Sequence, residues 1–251
     1  MAEWVNLGLM NLRFSVAWQV LFLVLASVPA VAYSKKKPDV PAIRWAEGAK
    51  GCTFERGEDG KYRYGLWTDD LGITVAIDSQ ELQKTHRRLE AMVGVLLTVR
   101  YRGTGSFDLQ TSGISLEFVK HEHVVHAALD PDGLAAHLQA GADSLEDEAQ
   151  RESKKNPDKF EAKEKLLQEY QKQLAEMLQF LGARSLRPGT LDAATPETNG
   201  WIFFSSKSKW IGDWKKQEDF VLRIPLDKAV VEFPFTLPPN EGELLLRRRP
   251  E

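Results

Sequence analysis

The sequence predicts a mainly β protein: an antiparallel β-sandwich interrupted by a two-helix hairpin. Three observations predict it. Five segments alternate apolar and polar residues with period two, the mark of half-buried strands, and two further runs are β-rich, seven candidate strands in all. A central stretch switches to helical spacing between Asp130-Pro131-Asp132 and Asn156-Pro157-Asp158. A hydrophobic content of 43% beside 27% charged residues is that of a globular chain rather than a disordered one.

Phe14 to Tyr33 is an uncharged apolar run ending in the small-x-small sequence Ala30-Val31-Ala32, with Lys35-Lys36-Lys37-Pro38 directly after it. Residues 1–32 therefore read as a secretory signal peptide cleaved after Ala32, and the remainder as an exported domain, periplasmic or extracellular. Left uncleaved, a run of about 20 residues is long enough to be a single-pass membrane anchor. The lysines on its far side would then favour a cytoplasmic domain. No cysteine ends the run, which argues against a lipoprotein anchor. Residues 33–60 mix Lys, Pro, Gly and charge and are expected to form a linker and irregular lead-in.

The sandwich is expected over residues 61–237. Tyr62–Trp67 is a β-rich run. In Leu71–Asp78, Ile73, Val75 and Ile77 share a face. In Gly94–Arg102, Val95, Leu97, Val99 and Tyr101 oppose Thr98, Arg100 and Arg102, and Ile114, Leu116 and Phe118 repeat the pattern. Trp201–Ser205 is again β-rich. Phe220, Leu222, Ile224 and Leu226 alternate with Val221 and Arg223, and Val231, Phe233, Phe235 and Leu237 with Glu232 and Thr236. One apolar and one polar face is the antiparallel pattern, and two such sheets bury their apolar faces against each other.

The helical hairpin is expected as an insertion at residues 131–182. Pro at the first helical position after Asp130 starts a helix, and Leu134, Leu138, Ala142 and Leu145 follow at helical spacing. A second run carries Leu167, Tyr170, Leu174, Met177, Phe180 and Leu181 up to Gly182. Such helices bury a narrow apolar seam and turn charged faces of mixed sign outward, which serve as a solvated surface or as a partner-docking arm. Residues 238–251, with Leu244-Leu245-Leu246 and Arg247-Arg248-Arg249, read as a tail.

Composition excludes several classes. A net charge of −3 offers no general attraction to nucleic acid. One cysteine, Cys52, excludes an intramolecular disulfide framework; a small buried residue is the expected role, with intermolecular pairing the alternative. No nucleophile elbow, phosphate-binding loop or dinucleotide fingerprint is present. No catalytic residue is assigned and no cofactor is expected.

Two clusters have binding chemistry. His121, His123 and His126 form a metal-like group. On a strand the first two share a face and the third does not, and zinc needs three or four ligands. Trp201, Trp210 and Trp214 lie near Lys207, Lys209, Lys215 and Lys216. Exposed Trp beside Lys suits sugar rings or an anionic surface; the competing role is a β-hairpin whose tryptophans close the core edge.

Gly200-Trp201-Ile202-Phe203-Phe204, Phe220-Val221-Leu222-Arg223-Ile224-Pro225-Leu226 and Phe233-Pro234-Phe235 together resemble exported bacterial proteins of unknown function with an immunoglobulin-like sandwich. Tyr62-Arg63-Tyr64-Gly65 and Val99-Arg100-Tyr101 fit early strands of that scheme. The resemblance covers about half of the mature chain. It implies an immunoglobulin-like fold and an exported setting, and no site residue. The expected role is a non-catalytic, envelope-associated interaction or assembly module for an unknown protein or envelope component. Its contact with membrane would be only through residues 14–33 if uncleaved. The alternatives are a glycan- or anionic-surface-binding protein using the Trp/Lys loop, and a metal-dependent hydrolase using the three histidines.

Overall fold

A computed structural model describes residues 40–79, 81, 89–155, 160–206 and 217–237. The chain divides after Asp39 into Met1–Asp39 and Val40–Glu251, and every described residue belongs to the second unit. The expected signal peptide or anchor and the tail lie outside the described residues. Among the described residues no helix is long and apolar enough to cross a membrane.

The two expected sheets are present. One runs β10-β5-β4-β3-β2, from β2 (Cys52–Arg56), β3 (Lys61–Trp67), β4 (Leu71–Asp78), β5 (Met92–Tyr101) and β10 (Glu197–Ser205), all antiparallel. The other runs β1-β12-β11-β7-β8, from β1 (Ala42–Arg44), β7 (Ser115–Phe118), β8 (Val124–Ala127), β11 (Glu218–Pro225) and β12 (Val230–Leu237). It is antiparallel except where β1 lies parallel to β12. A small pair, β6 (Phe107–Leu109) with β9 (Gly189–Leu191), forms a third sheet and buries Leu109 and Leu191 in the same core.

The faces read from the sequence are the faces that meet. Ile73, Val75 and Ile77, Val95, Leu97 and Val99, Leu116 and Phe118 are buried in one core with Phe220, Leu222 and Ile224 and with Val231, Phe233, Phe235 and Leu237. Phe220 stacks on Phe235 at 5.1 Å and meets Phe118 edge-on at 5.2 Å. Cys52 is a free thiol, half-buried against this core.

Five short strands depart from the expected pattern. The lead-in at 33–60 is not irregular throughout, because β1 and β2 lie in it as edge strands. β6, β8 and β9 have three or four residues each. Such lengths show too few alternations for period two to register, and edge strands are half solvated on both faces.

The insertion consists of α1 (Pro131–Lys155) and α2 (Phe160–Arg184), so the second helix continues through Gly182. Asp130 caps α1: its side chain accepts the Gly133 N–H at 2.7 Å and its carbonyl the Leu134 N–H at 2.8 Å. Both ends of the hairpin are stitched to β10. Entering, Ala128 bridges Phe204 and the Leu129 N–H donates to the Phe203 carbonyl at 2.8 Å. Leaving, Ser185 bridges Trp201 and the Leu186 N–H donates to the Trp201 carbonyl at 2.9 Å. Gly200 permits that approach, since a Cβ there would lie 2.4 Å from the Leu186 nitrogen.

Candidate docking groove on the helical hairpin

The hairpin has two halves set by the residues on its seam. In the half nearest the strands, Leu134, Leu138 and Ala142 of α1 and Leu174, Met177 and Leu181 of α2 are buried with Met92 of β5 and Phe203 of β10. Phe180 lies edge-on to Trp201 at 5.8 Å and to Phe203 at 6.2 Å. At Met92, Trp201 and Phe203 the outer face of β5 and β10 is therefore apolar as well, because helices cover it. That is why β5 begins two residues before its alternating run: Met92 faces the hairpin.

Among the described residues the other half of the hairpin packs helix against helix. There the α1 seam positions pass from leucine to Ala149 and Glu152, while α2 offers Lys163, Leu166, Leu167 and Tyr170. A small residue and a facing Glu152–Lys163 ion pair cannot close the seam as leucines do. The result is an open groove of about 420 Å³ lined by Leu145, Glu148, Ala149, Glu152, Lys163, Leu166, Leu167 and Tyr170. That volume lies within the roughly 300–1,000 Å³ usual for binding clefts. Leu166 is 71% exposed and Leu145 42%, unusual for large apolar side chains on a charged helix pair. Burial raises the Tyr170 phenol above its ordinary pKa, and the negative charge of Glu90 adds to this. The phenol is thus a neutral hydrogen-bonding group at the inner end of the groove.

Of the sequence-predicted Trp/Lys cluster, only Trp201 lies among the described residues. Trp201 is half-buried, stacked on Phe203 at 6.4 Å and edge-on to Phe180, so it packs against α2. Trp210, Trp214, Lys207, Lys209, Lys215 and Lys216 lie outside the described residues.

His121 and His123 are in a turn rather than on a strand, and the three histidines engage three different partners. His121 Nε2 is 2.9 Å from Glu218, the His123 ring bonds Glu117, and His126 on β8 sits edge-on to Phe118 at 5.5 Å. The turn closes with the Val124 N–H donating to the His121 carbonyl at 3.1 Å. Its central residues Glu122 and His123 have φ of 56° and 57°. This is the type I′ pattern that favours Asn or Gly. Among the described residues no group of three or more His, Cys, Asp or Glu is arranged to hold a metal ion.

An ionic chain that sequence spacing alone did not reveal crosses the outer face of the β1–β8 sheet. His123 and Arg223 both pair with Glu117, Arg223 Nε reaches Glu232 at 2.9 Å, and Arg44 reaches Glu232 at 3.2 Å. Burial works to raise the Glu117 carboxyl, but the hydrogen bonds from His123 and Arg223 outweigh it and hold the pKa below the ordinary value. Arg223 is likewise held above its ordinary value: burial opposes its charge, and the bonds to Glu117 and Glu232 prevail. These groups satisfy one another, which is the arrangement of a structural brace rather than of a reactive centre.

No known family, curated protein or solved structure matches this chain.

Proposed function

We propose that this chain is a non-catalytic interaction or assembly module of the cell envelope, exported from the cytoplasm, that docks a partner on the outer half of its helical hairpin. The observation that carries the reading is the open apolar groove at Leu145, Ala149, Leu166 and Leu167, on a hairpin whose other half is fixed to β5 and β10. An apolar cleft on a charged helix pair costs solubility unless something covers it. The Phe14–Tyr33 run ending in Ala-Val-Ala supports the exported setting.

Site-specific photocrosslinking in cells tests this. A photoreactive residue at position 166 yields a discrete adduct with one partner, and the same residue at Ala140, exposed near the fixed end, does not. Equal adducts at both positions, or none at 166, would remove the docking reading. Fractionation of the same cells reports the compartment: intact mass starting at Tyr33 in the periplasm or medium supports export. An uncleaved chain whose domain is protected inside the cell contradicts it.

A further inference from the structure

We propose that the turn between β7 and β8 is a proton-operated latch. Protonated His121 and His123 hold it closed on two buried carboxylates, and loss of those protons loosens it together with β8, the edge strand that leads toward the hairpin.

The turn is strained, so its neighbours must hold it. Glu122 and His123 have φ of 56° and 57°, a left-handed conformation that residues other than glycine rarely adopt. Such strain persists only where surrounding contacts over-determine it, and it gathers at switch regions. Within the turn the backbone supplies two bonds: the His121 N–H donates to the Phe118 carbonyl at 3.2 Å, and the Val124 N–H to the His121 carbonyl at 3.1 Å. The two residues flanking Glu122 supply the side-chain contacts. His121 Nε2 lies 2.9 Å from Glu218 of β11, and the His123 ring bonds Glu117 of β7. Glu117 and Glu218 are only 6% and 5% exposed. Water therefore screens the carboxylate end of each pair poorly.

Charge makes the histidines the variable part. Beside His121 stand Glu218 and Asp219 of β11 and Lys120 of the turn. The Lys120 N–H donates to Glu218 at 3.3 Å, and its Nζ is 3.3 Å from Asp219. Among the described residues two acids thus meet one fixed cation there, and a protonated His121 brings the second. Beside His123, Glu117 is shared with Arg223, which reaches Glu232 of β12, and Glu232 in turn pairs with Arg44 of β1. Glu122 is exposed, and the one titratable residue of β8, His126, lies edge-on to Phe118. Histidine is the side chain that ordinarily changes charge between pH 5 and 8, whereas carboxylates, lysine and arginine ordinarily keep theirs across that range. Each pair is then an ion pair at the acid end and at most a neutral hydrogen bond at the other, and charge-assisted bonds are the stronger. The holding force is present in mild acid and lost as pH rises. That sign is opposite to the one for Glu117, whose lowered carboxyl weakens the fold only in stronger acid.

The reach of the latch is set by the chain. β8 has four residues and is the last strand of its sheet, paired along its length with β7. Directly after it Ala128 bridges Phe204 and the Leu129 N–H bonds the Phe203 carbonyl. Loosening therefore extends from the turn into β8 and stops where β10 takes hold.

Amide exchange of the purified full chain, read by NMR at about pH 5.5 and about pH 8, tests the latch. Rates are expressed as protection over an unstructured peptide, which removes the intrinsic effect of pH on exchange. Protection at His121 and Val124 is expected to be about fivefold higher at the acid end, while that at Leu186, bonded to β10 far from the turn, stays the same. His121→Gln with His123→Gln keeps hydrogen-bonding side chains and removes the protons, so protection becomes independent of pH. Glu122→Gly relieves strain without touching either pair and raises protection at about pH 8. Equal protection of the parent's turn at both pH values would overturn the inference, as would a pH dependence that survives in the double variant or one shared equally by Leu186.

Discussion

Arg187 grips Asp132 with both guanidinium nitrogens, at 2.6 and 2.8 Å, although 55 positions separate them. Asp132 is in the first turn of α1 and Arg187 lies just past the end of α2, so the bidentate pair clasps the hairpin where it leaves the strands. The bond to Arg187 holds the Asp132 carboxyl below its ordinary pKa, although slight desolvation opposes it.

Arg187→Ala should loosen the clasp without unfolding the protein, since the pair is solvent-exposed and such pairs add little to global stability. Amide exchange at Gly133, Leu134 and Leu186 is expected to accelerate while the melting temperature stays close to that of the parent. A large drop in melting temperature would show the clasp to be part of the core.

Phe180→Ala should loosen the fixed half of the hairpin on β10. The ring meets both Trp201 and Phe203, and truncating a packed phenylalanine costs roughly 3 kcal/mol. Chemical denaturation measures the loss. Tryptophan emission shifting to the red would report Trp201 becoming wet, whereas unchanged stability would mean that the hairpin is held by its buried seam on Met92 and Phe203 and by its strand bridges.

Glu122→Gly should stabilise the protein. Glu122 has a left-handed φ that costs an L-residue about 1–2 kcal/mol, and glycine returns roughly 0.5–1 kcal/mol of that as lost chain entropy. A net gain of roughly 0.5–1 kcal/mol is expected from equilibrium unfolding. A loss would mean that the Glu122 side chain holds the turn.

Glu117 links stability to acid. Its folded pKa lies below the ordinary value, so the unfolded state binds its proton first as pH falls. The stabilisation is full above the unfolded value of about 4.3 and is lost as pH drops through the lower, folded one. Stability should therefore fall with acidification from about pH 5 downward, and Glu117→Gln should flatten that part of the profile. An unchanged slope would place the acid sensitivity elsewhere.

The sequence made the sandwich legible because its inner strands are long and half-buried. Ile73, Val75 and Ile77, or Phe233, Phe235 and Leu237, state their face several times over. The hairpin was legible from Pro131 and from leucines at helical spacing. The clasp, the ionic chain from His123 to Arg44 and the edge strands β1 and β2 were not. Each depends on which strands lie side by side, and one sequence does not encode that in any local spacing. Trp201 had two readings, a binding surface and a closed core edge, and it packs against Phe180 and Phe203 because a distant helix lies over it. The groove had a signal, since leucines on the α1 seam give way to Ala149 and Glu152. Reading that as an opening required knowing that Lys163 and Leu166 stand opposite.

Filling the groove tests the account most directly. Ala149→Leu would place a large apolar side chain on the floor of a cleft that has room for it. The variant should melt at or above the temperature of the parent, and the photocrosslinked adduct at position 166 should disappear. An adduct that persists undiminished, with the variant folded, would contradict the claim that the outer half of the hairpin is a docking site.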